Sequence, residues 1–407
     1  MKKTLFTAVF CLVAAGAFAQ TKSVNRAFNE AKMESPNFSE ARENIQGALT
    51  NPETQDVAKT WYVAGYIENR AFDNNWTMRQ MNQSVDEGAM YNALYDCYEY
   101  YLKAAALDTL PDEKGKVKPK YLKDIRNTLK KNHDFFRYAG GYYFNEGDFN
   151  SACKVWGAYL EIPKIGFMDV AKLPMDTLYQ ETKFNSAIAA MRAENNKLAI
   201  QYLEDLKDSD YDPKGVYDLL IYGYNMERDT VNLINTLKEA ADKIVATDED
   251  FQYIPQLINL YITSGNYDEA IEYLKKVLAS EPMNAEYWKV LGGLYGTLEK
   301  EEKAIECLNK AIEINPEYVD ALGELGRIYY NRAVNYNGEI SAISDNNLYR
   351  QEKEAKVIPA FKQALPYYEK AHQLNPEEYQ YKVALRGIYY NLGDAENLKL
   401  IESEIDD

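Results

Sequence analysis

YIPQLINLYITSGNYDEAIEYLKKVLASEP, residues 253–282, and YWKVLGGLYGTLEKEEKAIECLNKAIEINP, residues 287–316, are one pattern written twice at an interval of 34 residues. Ile254, Leu257, Tyr261, Gly265, Tyr267, Ala270, Leu274, Leu278 and Pro282 return as Trp288, Leu291, Tyr295, Glu299, Glu301, Ala304, Leu308, Ile312 and Pro316. A fixed period of this length marks a stacked array. Inside each block the apolar residues fall three and four apart, which places them on one helical face. A break near Gly265 or Glu299 divides the block into two helices. Each block therefore predicts a helical hairpin. Ala270 and Ala304 fall where the paired helices approach closely, and Pro282 and Pro316 fall just past a second helix that proline cannot extend.

Trp288, Leu291, Gly292, Tyr295, Ala304, Leu308, Ala311 and Pro316 together resemble the tetratricopeptide repeat signature. The resemblance implies an all-α, right-handed superhelical solenoid of antiparallel helical hairpins, with a concave face that takes peptides or protein segments. Phe136, Ala139, Gly140, Tyr143, Gly147, Phe149, Ala152, Trp156 and Leu160 repeat the pattern upstream, and Leu385, Tyr389 and Gly393 begin a last unit. Weaker units are marked by Ala41, Ile45, Ala48 and Pro52, by Ala199, Leu203 and Leu206, and by Thr236, Ala240 and Ile244. The expectation is roughly nine hairpins.

Departures from the period carry information. Ala304 and Ala364 hold the same small position 60 residues apart, where 34 are expected, yet Tyr368, Ala371 and Pro376 resume the pattern. The surplus, residues 331–356, contains no proline and is rich in Ala, Glu, Lys and Arg. Shared between two helices it would lengthen each by about 13 residues, roughly 20 Å, with a turn at Ser344 to Asn347. The Asn, Ser and Gly content of residues 335–347 leaves an irregular loop as the alternative. Similar surpluses separate Ala41 from Cys97 and Cys97 from Ala152, which predicts long hairpins there as well. The organisation expected is a leader at 1–19, divergent repeats with long hairpins at 20–245, and regular repeats with the 331–356 insertion at 246–407.

Lys2 and Lys3, the apolar run Leu5 to Phe18, and the small-residue ending Ala17-Phe18-Ala19 read as a secretory signal peptide. That predicts export, with the periplasm as destination. Cys11 follows Ala8-Val9-Phe10 rather than a small residue, which argues against a lipid anchor. No later segment reaches the length of apolar residues that spans a bilayer, so an integral membrane protein is not expected. The net charge is −17, and removing Lys2 and Lys3 with the leader takes away two positives to give −19. Such a chain repels phosphate backbones, so nucleic acid is not an expected partner. Lys114, Lys116, Lys118, Lys120, Lys123, Arg126, Lys130 and Lys131 run against this trend, opposed only by Asp124. They read as a solvated connector or as a dock for an acidic partner, self-association with another copy included.

Cys97, Cys153 and Cys307 are an odd set scattered over different repeats, which suits buried small residues rather than a disulfide framework. His133 and His372 stand in distant repeats without a second ligand at metal spacing, and they read as surface or interhelix residues. No phosphate loop and no Gly-x-Ser-x-Gly elbow occur. Among 63 acidic residues, pairs such as Glu301-Glu302 and Glu377-Glu378 are solvated helix faces. Neither an enzyme nor a bound cofactor is expected.

Binding remains. Tyr143-Phe144-Asn145, Tyr329-Tyr330-Asn331 and Tyr389-Tyr390-Asn391 recur in three repeats. If the first tyrosine packs between helices, the next two residues turn about 100° and 200° further, toward the groove or its rim. Phe144, Asn145, Tyr330, Asn331, Tyr390 and Asn391 are thus the candidate partner-binding residues, with helix C-capping by each Asn as the alternative. The chaperone-tail clamp of some family members is missing, since Lys289 is followed one turn later by Gly293 and Asn259 is preceded by Pro255. The expected function is an exported protein-interaction scaffold, and capture of a nutrient or glycan at the cell envelope is the alternative. Intact mass of the protein from the envelope fraction should begin at Gln20, and a cytosolic pool retaining Met1 would overturn the export reading.

Overall fold

Helices cover most of residues 21–244 and 253–406, which are the residues that this computed structural model describes. The expected leader 1–19, Cys11 and the expected domain boundary at 245/246 lie outside them. The chain divides into two compact units, Met1–Glu249 and Asp250–Asp407.

In the first unit the helices are α1 (21–32), α2 (Phe38–Thr50), α3 (Ala58–Gln80), α4 (Glu87–Asp108), α5 (Leu122–Asn145), α6 (Phe149–Glu161), α7 (Thr177–Arg192), α8 (Asn196–Glu204), α9 (Pro213–Met226) and α10 (Thr230–Lys243). Those of the second are α11 (Tyr253–Thr263), α12 (Tyr267–Ser280), α13 (Ala285–Thr297), α14 (Glu301–Ile314), α15 (Val319–Ile340), α16 (Asn346–Glu352), α17 (Ile358–Leu374), α18 (Tyr379–Leu392) and α19 (Ala395–Asp406). Consecutive helices pair into antiparallel hairpins, α16 and α17 acting as one return helix, and each unit is a run of such hairpins. The architecture is an all-α repeat solenoid.

One recurrent turn explains how each hairpin closes. After the first helix a residue adopts a left-handed conformation, Gly147 in the α5–α6 hairpin, Gly265 in α11–α12 and Glu299 in α13–α14. The next N–H then bonds back to the carbonyl of the packing tyrosine: Asp148 to Tyr143 at 2.9 Å, Asn266 to Tyr261 at 2.8 Å and Lys300 to Tyr295 at 2.8 Å. This is the Schellman arrangement, which satisfies carbonyls that a helix end leaves free. Glu299 adopts the conformation that glycine takes without strain, at a cost of about 1 kcal/mol. Asp148 then caps α6 through Ser151 N at 3.0 Å, and those bonds from Ser151 hold its carboxyl below the ordinary aspartate value.

Close approach within the hairpins rests on small residues. Ala152, Ala270, Ala304 and Ala364 on second helices are fully buried. A Cβ built on Gly292 would stand 2.9 Å from Leu308 Cγ, and one on Gly140 would overlap the Trp156 indole.

Helix lengths depart from the regular unit in two places. α3, α4 and α5 have 23, 22 and 24 residues against 13 in α13. In the second unit α15 has 22 residues, and the return runs from Asn346 to Leu374 through a π-helical turn at Lys353–Val357. Pro359, just after that turn, has no N–H to donate, which relaxes the α-helical bond pattern there. The connection lies at residues 341–345, earlier than Ser344 to Asn347, because Asp345 caps α16 through Asn347 N at 2.8 Å and Leu348 N at 2.9 Å. This hairpin has its own apolar seam, in which Ala333, Ile340, Val357, Ala360 and Phe361 are buried.

His133 is buried on α5, its ring stacked on Tyr159 at 4.2 Å and its Nε2 2.8 Å from the Tyr159 carbonyl. Burial holds its pKa below 6.5, against the raising effect of that hydrogen bond. The unfolded chain therefore takes up the proton first, so the stability present above pH 6.5 is lost as pH falls toward the lowered folded value.

Two outcomes follow. Ala304→Trp should overpack the α13–α14 contact and lower stability by about 1–3 kcal/mol, with the loss starting in the second unit. An unchanged melting curve would contradict the register. His133→Gln should flatten the dependence of the denaturation midpoint on pH between about pH 7 and pH 5 relative to wild type.

Candidate functional site

The long helices of the first unit enclose a cleft of about 710 Å3. Trp76 and Arg79 line it from α3, beyond the point where a helix of 13 residues would have ended. Glu87 and Tyr91 enter from the first turns of α4. α5 contributes Arg137, Tyr138, Gly141, Tyr142 and Asn145, and Trp156 reaches in from α6. Glu181, Thr182 and Asn185 of α7 form the far side.

The wall is aromatic and its polar groups are held in place. Tyr91 and Tyr142 lie 5.3 Å apart between centroids. Arg79 pairs with Glu87 at 3.1 Å and lies 5.4 Å from the Trp76 ring. The Trp156 Nε1–H donates to the Arg137 carbonyl at 3.0 Å, which fixes the indole against the α5 backbone. Arg137 lies 4.8 Å from the Tyr138 ring, and its buried Nε has no hydrogen-bond partner among the described residues.

Of the six residues singled out by the aromatic-Asn pattern, only Asn145 lines this cleft. Phe144 packs inside its own hairpin, 5.3 Å from Phe149 and 5.7 Å from Trp156. Tyr330 is similarly engaged, 5.5 Å from Phe361 and 6.2 Å from Tyr368. Asn331 is exposed in the middle of α15. Tyr390 is 71% exposed, and Asn391 donates to the Gly387 carbonyl at 2.8 Å. None of the three asparagines is a C-cap, because Glu146 and Gly393 hold those positions on α5 and α18, and α15 runs on to Ile340. Trp76, Arg79, Arg137, Tyr138 and Gly141 were not marked by the repeat pattern. The doublet Gly140-Gly141 within an otherwise helical stretch was the available signal.

The basic segment is ordered by carboxylates. Asp108 accepts from the backbone N–H groups of Lys120, Tyr121 and Leu122 at 2.7–3.0 Å, capping the start of α5. Lys118 pairs with Asp112 at 3.5 Å, Lys131 with Asp73 at 2.6 Å, and Arg126 Nε donates to the Phe167 carbonyl at 2.6 Å. Cys97 and Cys307 are buried and Cys153 half-buried; burial pushes the Cys153 and Cys307 thiols up to about 11 and Cys97 well above the usual thiol range. His372 lies 2.9 Å from Glu404. Among the described residues no helix is long and apolar enough to cross a membrane.

The tetratricopeptide repeat family model matches residues 285–318 and 259–283. Among solved structures, a tetratricopeptide repeat protein from Bacteroides fragilis is similar at 20% identity, over 63% of this chain and 98% of that one, with a TM-score of 0.33. The C-terminal part of a tetratricopeptide repeat-containing protein from Cytophaga hutchinsonii is similar at 16% identity, over 66% and 93%, with a TM-score of 0.38. The MamA protein is similar at 19% identity, over 47% and 88%, with a TM-score of 0.34. At these scores the superpositions carry no argument about function. Both family matches fall on the hairpins that the 34-residue period marks out, so residues 259–283 and 285–318 are tetratricopeptide repeats.

Proposed function

We propose that the chain is an exported, periplasmic interaction scaffold that holds an extended protein segment in the cleft lined by α3, α5 and α7. The observation that carries this reading is the cleft itself, in which aromatic side chains of four helices stand beside the amides of Asn145 and Asn185 and the guanidinium of Arg137. Rigid aromatic walls supply contact area at low entropy cost, and the polar groups fix the register of a bound backbone. The function is one of binding rather than catalysis. Capture of a glycan is the second reading, because the same rings can stack on a sugar face.

Peptide-display selection and a glycan array, both against the full mature chain, separate the two. Selection should enrich peptides whose affinity falls by about 1–3 kcal/mol in Tyr138→Ala, with no change in melting temperature, since Tyr138 is half exposed and lies outside the core. Glycan binding without peptide enrichment would overturn the scaffold reading in favour of capture.

A further inference from the structure

Arg137, Gly141 and Asn145 follow one another at four-residue intervals on α5, so they form one stripe along the cleft. Its first two members each carry a feature that packing leaves unexplained. The buried Arg137 Nε has no partner among the described residues, although a lost hydrogen bond on a charged group is among the costlier omissions a fold can make. Gly141 sits inside a helix, where glycine costs about 1 kcal/mol relative to alanine, and a Cβ there would meet nothing within 4 Å. Its neighbour Gly140 is needed because Trp156 lies against it; Gly141 has no such reason. Asn145 is exposed at the end of the stripe.

The first two positions of the stripe recur once more in the chain, followed by Thr297 in place of Asn145, and there they are covered. On α13, Gly292 and Gly293 correspond to Gly140 and Gly141, and Lys289 corresponds to Arg137. Glu324 of the following first helix, α15, places its carboxylate 3.5 Å from where a Cβ on Gly293 would stand and 3.6 Å from Lys289 Nζ. A cation, a glycine one turn later and a carboxylate that covers both thus form one unit in the second run of hairpins. In the first unit the following first helix, α7, brings Glu181, Thr182 and Asn185 to the cleft, and no carboxylate among the described residues pairs with Arg137.

We propose that the α5 stripe recognises an extended peptide segment through one acidic side chain, whose carboxylate takes beside Arg137 and over Gly141 the place that Glu324 takes beside Lys289. This deepens the scaffold reading and rests on it. The fork of an arginine suits a carboxylate better than the point charge of lysine does. Without a Cβ on Gly141 the peptide backbone can approach α5 closely, and Asn145 offers an amide to that backbone. The stripe rises through eight residue steps of helix, about 12 Å, which matches about four residues of extended chain. With Glu87 paired to Arg79, Glu181 is the cleft carboxylate that repels further negative charge, so the motif is a single acid in neutral or apolar surroundings rather than an acidic run.

The test uses the full chain and two synthetic peptide pools, randomised except for a central glutamate in one and a central glutamine in the other. Wild type should bind the glutamate pool about tenfold or more tightly than the glutamine pool in fluorescence anisotropy. Arg137→Gln should abolish that preference, and Gly141→Leu should weaken both pools while leaving the melting temperature unchanged or raised. Equal binding of the pools to wild type, or a preference that survives Arg137→Gln, overturns the carboxylate proposal and leaves the scaffold reading standing. Binding of neither pool overturns both.

Discussion

A small residue on one helix facing a large one on its partner is the contact on which the rest of this molecule depends. It sets the distance between the helices of a hairpin, and that distance decides which side chains can reach across. At Gly140 the consequence is local and specific. The Trp156 indole lies close enough over the glycine for its N–H to bond the Arg137 carbonyl at 3.0 Å. The same ring then forms part of the cleft wall. A methyl at residue 140 would lift the indole, remove that donor and move the wall, so the binding surface inherits its geometry from a packing contact.

Tyrosine supplies the second constraint, through the one that packs at the end of a hairpin's first helix. The backbone carbonyl of Tyr143, Tyr261 or Tyr295 closes the first helix of a hairpin onto the left-handed turn. The hydroxyl at the other end of the residue reaches the preceding hairpin: Tyr143 donates to Asn92 at 2.9 Å, Tyr224 to Glu204 at 2.8 Å and Tyr389 to Glu369 at 3.0 Å. One residue thus ends a helix and ties neighbouring repeats together. Burial pushes the Tyr143 phenol up to about 12, so it remains a donor at neutral pH.

The hairpins were legible because a 34-residue period states the same packing problem repeatedly, and the long 331–356 hairpin because surplus length between two in-register alanines must go somewhere. Its turn was displaced by a capping aspartate, Asp345, whose effect outweighs the Asn and Ser content around it. Phe144 and Tyr330 show where projection along a single helix runs out. A rotation of 100° from a core tyrosine points toward the groove only if the partner helix presents nothing large there, and Trp156 and Phe361 are large. The cleft itself was beyond reading from the repeat, since Trp76 and Asn185 meet across more than a hundred residues of chain, on helices whose lengths break the period.

Why one glycine stripe is covered and the other open follows from the connections. Between α14 and α15 the chain passes in four residues, 315–318, which brings α15 directly against α13 and lays Glu324 over Gly293. Between α6 and α7 it takes fifteen residues, 162–176, folded into two 3-10 turns at Ile162–Lys164 and Gly166–Ala171. That connection is itself built in: Ile162, Met168 and Ala171 are buried, and Arg126 on α5 holds the Phe167 carbonyl. Across this longer connection no side chain of α7 comes within 4 Å of where a Cβ on Gly141 would stand, whereas Glu324 of α15 does so at Gly293. The two stripes share their chemistry, and the length of one connection turns the same helical surface from an internal contact into a place for an external one.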